Sequence, residues 1–480
     1  MAEHGVVIKG GWVIDGTGRN RYRADVAIDD DRIAAIGDLA DAAAETVIDA
    51  TDRIVAPGFI DVHTHDDRML RDASDMTPKI SQGVTTVVAG NCGISLAPFV
   101  ATERPMEPLD LVGDFSAFRY PTFAAFVDDL TRQQPSTNAA LLVGHGTLRV
   151  ANMDDTQRPA TDDEVEVMRS KVGEAMDSGA VGLSTGLEYP PARMSETPEI
   201  IRLAEVAGEK GGVYATHMRS YAADARSSMD EAMQIGREAK LPVIVSHFHC
   251  HTDDNPGICS EALSWYETAR EHQDVVVDAY PYEASSTSIL PEFVMKRTKA
   301  LVTWSKPHPE MNGKYLHEIA DEWDTDVIDA AKRLAPGGAI YFGRDEENVK
   351  RLMTHQGVII GSDGIPMNPH PHPRLWGTFP RVLGHYARDL DLMTMEDAIH
   401  RMSGLSAERF GLTDRGSVAV GAYADLVAFN PATIADTATF MEPEQPAAGI
   451  DHVFVNGVSV WQAGRHTGAG PGRIVGQRQV

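Results

Sequence analysis

The chain has 480 residues, 42% of them hydrophobic and 24% charged, enough to bury a sizeable core without disulfides or structural metals. Its 70 acidic and 43 basic residues give a formal net charge of −27, which excludes a general polyanion binder such as a nucleic-acid clamp. Three cysteines exclude a disulfide framework, and 42 glycines with 27 prolines imply no low-complexity tract.

Residues 1–5 carry no basic stretch followed by an apolar core, and no apolar run reaches the ~18–20 residues of a membrane span. The expectation is a cytoplasmic protein with reduced thiols, no membrane or nucleic-acid contact, a small-molecule partner and an open oligomeric state. Short β-type runs open the chain at 6–8, 12–14, 26–28 and 46–48, separated by glycine and acidic turns. From about 56 the texture changes to buried-strand runs alternating with amphipathic helices. The strands are expected at 59–62, 85–88, 140–143, 181–184, 213–216, 242–246, 275–279 and 358–361. Between them, 161–178 places Val165, Met168, Val172 and Ala175 at helical spacing behind acids in the first turn. Thr197 is expected to cap a helix over 198–209 that starts on Pro198, and Thr394 to cap one running to Met402. The stretch 284–345 breaks the rhythm and reads as an insertion or lid. The β texture returns at 417–420, 424–429, 452–455 and 458–461, with Asn456-Gly457 as a hairpin turn.

Eight β/α units predict an α/β fold, a (β/α)8 TIM-like barrel over 56–412. The two chain ends, 1–55 and 413–480, predict one small composite β domain. No glycine fingerprint follows the first strand, which removes the main support for a dinucleotide fold.

Chemistry in such a barrel sits where the strands end. The first strand runs into Asp61-Val62-His63-Thr64-His65, the second into Gly90-Asn91-Cys92-Gly93. The fifth ends in Thr216-His217, the sixth in Ser246-His247 and the eighth in Gly361-Ser362-Asp363-Gly364. Two-residue spacing turns His63 and His65 to one side, and imidazole, thiolate and carboxylate are donors that zinc accepts. Each residue alone has a blander reading as core or surface. Such residues at the same end of five strands point to a metal site.

The opening Gly58-Phe59-Ile60-Asp61-Val62-His63-Thr64-His65, with these histidines and Asp363, resembles the amidohydrolase superfamily. The terminal Gly421-Ala422-Tyr423-Ala424-Asp425-Leu426-Val427 is similar to its small domain. Strand four lacks the bridging lysine of many members. Cys92 in its place, with 184–189, Asp278-Ala279-Tyr280-Pro281-Tyr282, 303–311 and 372–381, resembles the D-aminoacylase branch, the N-acyl-D-amino-acid deacylases.

That resemblance implies a tight Zn2+ on Cys92, His217 and His247, and a second, weaker divalent position on His63, His65 and Asp363 that shares Cys92. It implies water acidified towards ~7 and a polarised acyl carbonyl, with Asp363 taking the water's proton and returning it to the leaving amine. Arg374 would grip the substrate carboxylate, with Tyr189, Tyr280 and Ser286 as further contacts and 283–299 shaping the side-chain pocket. The D preference follows from the resemblance alone. One departure stands out: the family usually has lysine two residues after the sixth-strand histidine, and this chain has His249. Its charge would fade near neutral pH, so affinity is expected to fall between about pH 6 and 8. His145, His370, His372, Cys250, Cys259, His251, Asp253 and Asp254 read as bystanders. The alternatives are another amidohydrolase reaction, on a cyclic amide or a dipeptide, and a non-catalytic barrel scaffold. A nucleic-acid deaminase lacks its zinc signature.

Overall fold

Eight short runs pair in parallel in the order in which they occur along the chain: β1 (Phe59–Asp61), β2 (Val84–Ala89), β3 (Asn138–Gly144), β4 (Gly182–Gly186), β5 (Val213–His217), β6 (Val243–Val245), β7 (Val275–Ala279) and β8 (Val358–Ile360). Every residue in them is buried, as parallel strands covered on both faces require. β8 returns to β1 through a parallel bridge between Thr64 and Gly364, and the Asp363 N–H donates to the His63 carbonyl at 2.7 Å. Gly361 permits this approach, since a Cβ there would lie 2.5 Å from the Cβ of His63. Lys79 pins the same seam from below, donating to Asp61 at 2.8 Å and Ser362 at 3.0 Å. The ring is the expected (β/α)8 barrel, and all eight strands fall where the apolar runs put them. This computed structural model describes residues 3–222, 224–249, 258–294 and 299–476.

The helix Asp162–Asp177 begins in a capping box between Thr161 and Glu164 and buries Val165, Met168, Val172 and Ala175. Thr394 caps Met395–Met402 by accepting from the Asp397 N–H at 3.1 Å. Thr197 departs from expectation. It is the first residue of Thr197–Glu209, and its hydroxyl donates to Glu231 at 2.8 Å, so a carboxylate has captured the group that was to cap the helix.

The chain ends share one nine-stranded sheet. His4–Val13, Tyr22–Asp29, Arg32–Gly37, Ala44–Asp49 and Ile54–Pro57 join Leu426–Phe429, Ile450–Val455, Val458–Gln462 and Arg465–His466. The seam is Ile54–Pro57, antiparallel to Leu426–Phe429. Asn456 and Gly457 turn the hairpin with φ of +47° and +79°. The two runs at 6–8 and 12–14 are one strand, because a bulge between Ile8 and Gly11 absorbs the break. The run at 417–420 is not a strand. Glycines 416 and 421, both at positive φ, turn the chain on either side of it, and the Val418 N–H goes to the Asp15 carbonyl.

Between β7 and β8 lies a three-stranded antiparallel sheet of Ala284–Ser288, Gly337–Phe342 and Ala300–Ser305, with its own apolar cluster around Val302, Leu334 and Tyr341. Its first strand reaches back to the barrel mouth, where Thr287 bonds Tyr189 at 3.0 Å. Among the described residues no helix is long and apolar enough to cross a membrane.

Candidate active site

Six buried side chains with metal-binding chemistry meet at the end of the barrel where the strands finish. His63 and His65 follow β1, Cys92 follows β2, His217 closes β5, His247 follows β6 and Asp363 follows β8. They form two groups that share the thiol, His63–His65–Cys92–Asp363 and Cys92–His217–His247, with the donor atoms of each group within 4.8 Å of one another. Cys92 Sγ lies 3.2 Å from His63 Nε2 and 3.6 Å from His247 Nε2, and His247 Nε2 lies 2.9 Å from His217 Nδ1. Asp363 Oδ1 is 3.4 Å from His63 Nε2 and 3.3 Å from His65 Nε2. A tetrahedron of 2.0–2.3 Å bonds has edges of roughly 3.3–3.8 Å. The donor set and its spacing therefore fit zinc after small adjustments.

The backbone is bent to achieve this. Cys92, His247 and Asp363 have φ of +54°, +32° and +51°, a left-handed region that costs ordinary residues about 1–3 kcal/mol each. Gly90, at φ +85°, brings the Cys92 loop against β3, where a Cβ would meet the Leu142 carbonyl oxygen at 2.2 Å. β4 supplies a brace: Ser184 donates to the Gly90 carbonyl at 2.5 Å and accepts from the Gly93 N–H at 3.0 Å.

Two carboxylates orient the imidazoles. Asp278 Oδ2 lies 3.1 Å from His63 Nδ1, leaving Nε2 for the centre, and its Oδ1 accepts from the His247 N–H at 2.7 Å. Glu188 Oε2 holds His217 Nε2 at 2.9 Å, leaving Nδ1 for the centre. Sequence reasoning gave neither residue a role. The signal for Asp278 was an acid inside the apolar run Val275–Ala279; for Glu188 it was only its place in the 184–189 stretch that matched the branch.

Burial alone would raise the Cys92 thiol, but the His63 charge and hydrogen bonds with His217 and His247 hold it well below the ordinary thiol range. Burial also opposes a charge on Asp363, yet Arg374 first, then His63, keeps its carboxyl well below the usual range. His65 is drawn up to about 9 against burial by Asp363 and Cys92, and His217 to about 9 by Cys92 and Glu188. Burial and the neighbouring His217 lower His247. A divalent cation satisfies the same thiolate and carboxylate that these protons satisfy, so its binding competes with protons.

Arg374 is fully buried beside this cluster. Its Nη1 lies 2.9 Å from Asp363 Oδ2, its Nη2 donates to the Ser286 carbonyl at 3.2 Å, and its guanidinium sits 4.4 Å over the Tyr280 ring. Arg374 Nε and Tyr280 Oη are buried without a hydrogen-bond partner among the described residues. Both are donors suited to a ligand oxygen. The Tyr189 ring packs 4.6 Å from that of His217. His249 stacks on Tyr221 at 4.9 Å and its Nδ1 bonds the His247 carbonyl.

The amidohydrolase family model matches residues 46–281 and 215–461. D-aminoacylase of Alcaligenes xylosoxydans xylosoxydans is 50% identical over 470 residues, spanning 98% of this chain and 97% of that one. This chain belongs to the amidohydrolase family, in its D-aminoacylase branch. A crystal structure of D-aminoacylase superposes with a TM-score of 0.97 at 48% identity, covering 99% of this chain and all of that one (100%). An N-acyl-D-glutamate deacylase from Bordetella bronchiseptica, complexed with zinc and a phosphonate mimic of the tetrahedral intermediate, gives 0.95 at 44% identity, covering 98% of this chain and 99% of that one.

Several other titratable groups of this amidohydrolase have structural partners. His145 bonds Glu199 at 2.8 Å, away from the centre, and Glu199 also pairs with buried Arg149. His370 bonds the Phe440 carbonyl at 2.7 Å, and His372 accepts from the Arg374 N–H at 2.9 Å. Cys259 is buried in the core. Cys250, His251, Asp253, Asp254 and part of the expected pocket segment, 295–298, lie outside the described residues.

Proposed function

We propose that this amidohydrolase cleaves the amide bond of N-acyl-D-amino acids to a carboxylate and a free D-amino acid, with zinc held by Cys92, His217 and His247. The observation that carries the reading is the buried Cys92 sulfur, common to both donor groups and adjoined by the Asp363 carboxylate and a buried guanidinium with donors to spare. His63, His65 and Asp363, sharing Cys92, would hold a second ion more weakly. The D configuration rests on the substrates that the relatives' names carry. A cytoplasmic setting, which keeps the thiol reduced, belongs to the same reading.

Bound there, zinc supplies Lewis acidity that acidifies water and draws electron density from a carbonyl oxygen. The remaining work falls to the chain's own side chains. Arg374 and Tyr280 receive the substrate's α-carboxylate, with Tyr189, Ser286 and His249 around it, and so aim the amide at the centre. Before substrate arrives, Arg374 is paired with Asp363. The incoming carboxylate takes over part of that pairing and leaves Asp363 a stronger base. Asp363 accepts a proton from the attacking water as the new C–O bond forms at the acyl carbon. It passes that proton to the nitrogen as the C–N bond breaks, a role worth about 10²–10⁴-fold in typical cases. The strand Ala284–Ser288 closes the mouth beside Tyr189 and limits the water that reaches the reacting bond.

Assays of N-acetyl-D- and N-acetyl-L-amino acids side by side, with zinc counted per chain, test this. Free amino acid is expected from the D series, and Cys92→Ala is expected to lose zinc and activity together. Release from the L series alone, or full activity in a zinc-free Cys92→Ala protein, overturns the reading.

A further inference from the structure

His372 stands two residues ahead of Arg374, buried, with both ring nitrogens engaged. Its Nδ1 accepts the Arg374 N–H at 2.9 Å, the first N–H of the helix Arg374–Arg381, which Pro373 has no side-chain oxygen to cap. Its Nε2 donates to the Ala284 carbonyl at 3.1 Å. Burial first, then the Arg374 charge, hold the ring well below the ordinary histidine range, so it stays neutral with its single proton on Nε2.

Ala284 opens the strand Ala284–Ser288, the edge of the three-stranded sheet, and among the described residues no strand pairs with its outer flank. Carbonyls two residues apart face the same flank. There His372 takes the Ala284 carbonyl, and Arg374 Nη2 takes the Ser286 carbonyl at 3.2 Å. Two side chains thus do what a neighbouring strand would do. The His372 ring is wedged edge-on between Tyr282, with ring centres 5.3 Å apart, and Phe440, at 5.1 Å. Phe440 belongs to the segment that joins Leu426–Phe429 to Ile450–Val455 in the terminal sheet, and it also packs on Phe342 of the inserted sheet at 4.8 Å.

We infer that His372 is a positioning residue for the reaction, setting the strand Ala284–Ser288 and the Arg374 guanidinium in register so that the substrate's α-carboxylate meets a preformed receptor. This rests on the deacylation proposed above and adds what holds its receptor in place. An arginine side chain has many rotamers, and one fixed before binding loses less freedom on meeting a carboxylate. The bond to the Arg374 N–H fixes where that side chain starts, and the Ser286 carbonyl fixes where one of its nitrogens ends. His372 ties those two points together. At this strand the insertion is a fixed wall of the pocket.

The test uses the N-acetyl-D-amino acid that the unaltered enzyme turns over best. His372→Phe keeps an aromatic ring between Tyr282 and Phe440 and removes both hydrogen bonds. It is expected to raise KM about 10–100-fold, with a smaller change in kcat and unchanged zinc content. His372→Asn, whose amide oxygen can stand in for Nδ1, and His372→Gln, whose amide nitrogen can stand in for Nε2, should each recover part of the loss. Because His372 works through Arg374, adding His372→Phe to Arg374→Lys should change KM by no more than about 2-fold. Full multiplication of the two effects overturns the inference, as does an unchanged KM or a loss confined to kcat in His372→Phe. If that variant fails to fold, an unaltered KM in both His372→Asn and His372→Gln overturns it. Hydrogen exchange reads the same tie without turnover: the amides of 284–288 should exchange about 10-fold faster or more in the His372 variants. Unchanged protection, with N-acyl-D-amino acids still hydrolysed, sinks this inference and spares the deacylase reading. No hydrolysis of any N-acyl-D-amino acid by the unaltered enzyme sinks both.

Discussion

Glu188 and Asp278 act on the centre through histidines, and each does so with a single contact. A carboxylate on one ring nitrogen fixes the tautomer and aims the other nitrogen, which is how His217 presents Nδ1 while His63 presents Nε2. Glu188→Gln keeps the size and removes the charge. Chelator competition is expected to show zinc affinity lower by about 10–100-fold, with the circular dichroism spectrum intact. Unchanged affinity would reduce Glu188 to a piece of the pocket wall. The convergence of these donor side chains was legible in the sequence, because histidine, cysteine and aspartate stand where apolar strands stop. Glu188 was not, since its partner lies on the next strand, 29 residues away, and nothing local records that contact.

At the scale of elements, the barrel strands were readable because strands buried on both faces must be apolar throughout. Helix starts were readable only where the side chain stayed local. Thr161 and Thr394 cap their helices, whereas Thr197 was drawn off by Glu231, on the helix Ala225–Ala239. A comparable long-range tie joins the helix His145–Asn152 to Thr197–Glu209. Glu199 accepts from His145 at 2.8 Å and from Arg149 at 2.6 Å. Burial pushes the Glu199 carboxyl up, but His145 and Arg149 overcome it and hold it at about 2, below the 4.5 of a free glutamate. Because the folded value is the depressed one, the stabilisation is complete above about pH 4.5 and is lost as the pH falls towards 2. Melting temperatures of the native protein and Glu199→Gln are expected to differ at pH 7 and to converge across that window. A gap that stays constant down to pH 2 would show that the Glu199 charge contributes nothing.

For the whole molecule, zinc and folding should be linked. Metal that binds the native chain stabilises it by about 1.4 kcal/mol for each tenfold excess over the dissociation constant. The metal-stripped protein should therefore melt higher as zinc is titrated in, and Cys92→Ala should not. A melting temperature indifferent to zinc would show that the native chain does not bind it tightly. Composition foretold a large apolar core, and the matching β texture of the two ends foretold that they meet. Register stayed hidden, because which backbone runs beside which is a property of the assembled sheet. That meeting has a cost during synthesis. The edge at Ile54–Pro57, which leads into β1, waits for Leu426–Phe429 as its partner. At about 5–20 residues per second the ribosome takes tens of seconds to deliver it. Throughout that interval the N-terminal half of the terminal sheet carries an unpaired edge, the kind of surface on which newly made chains adhere to one another.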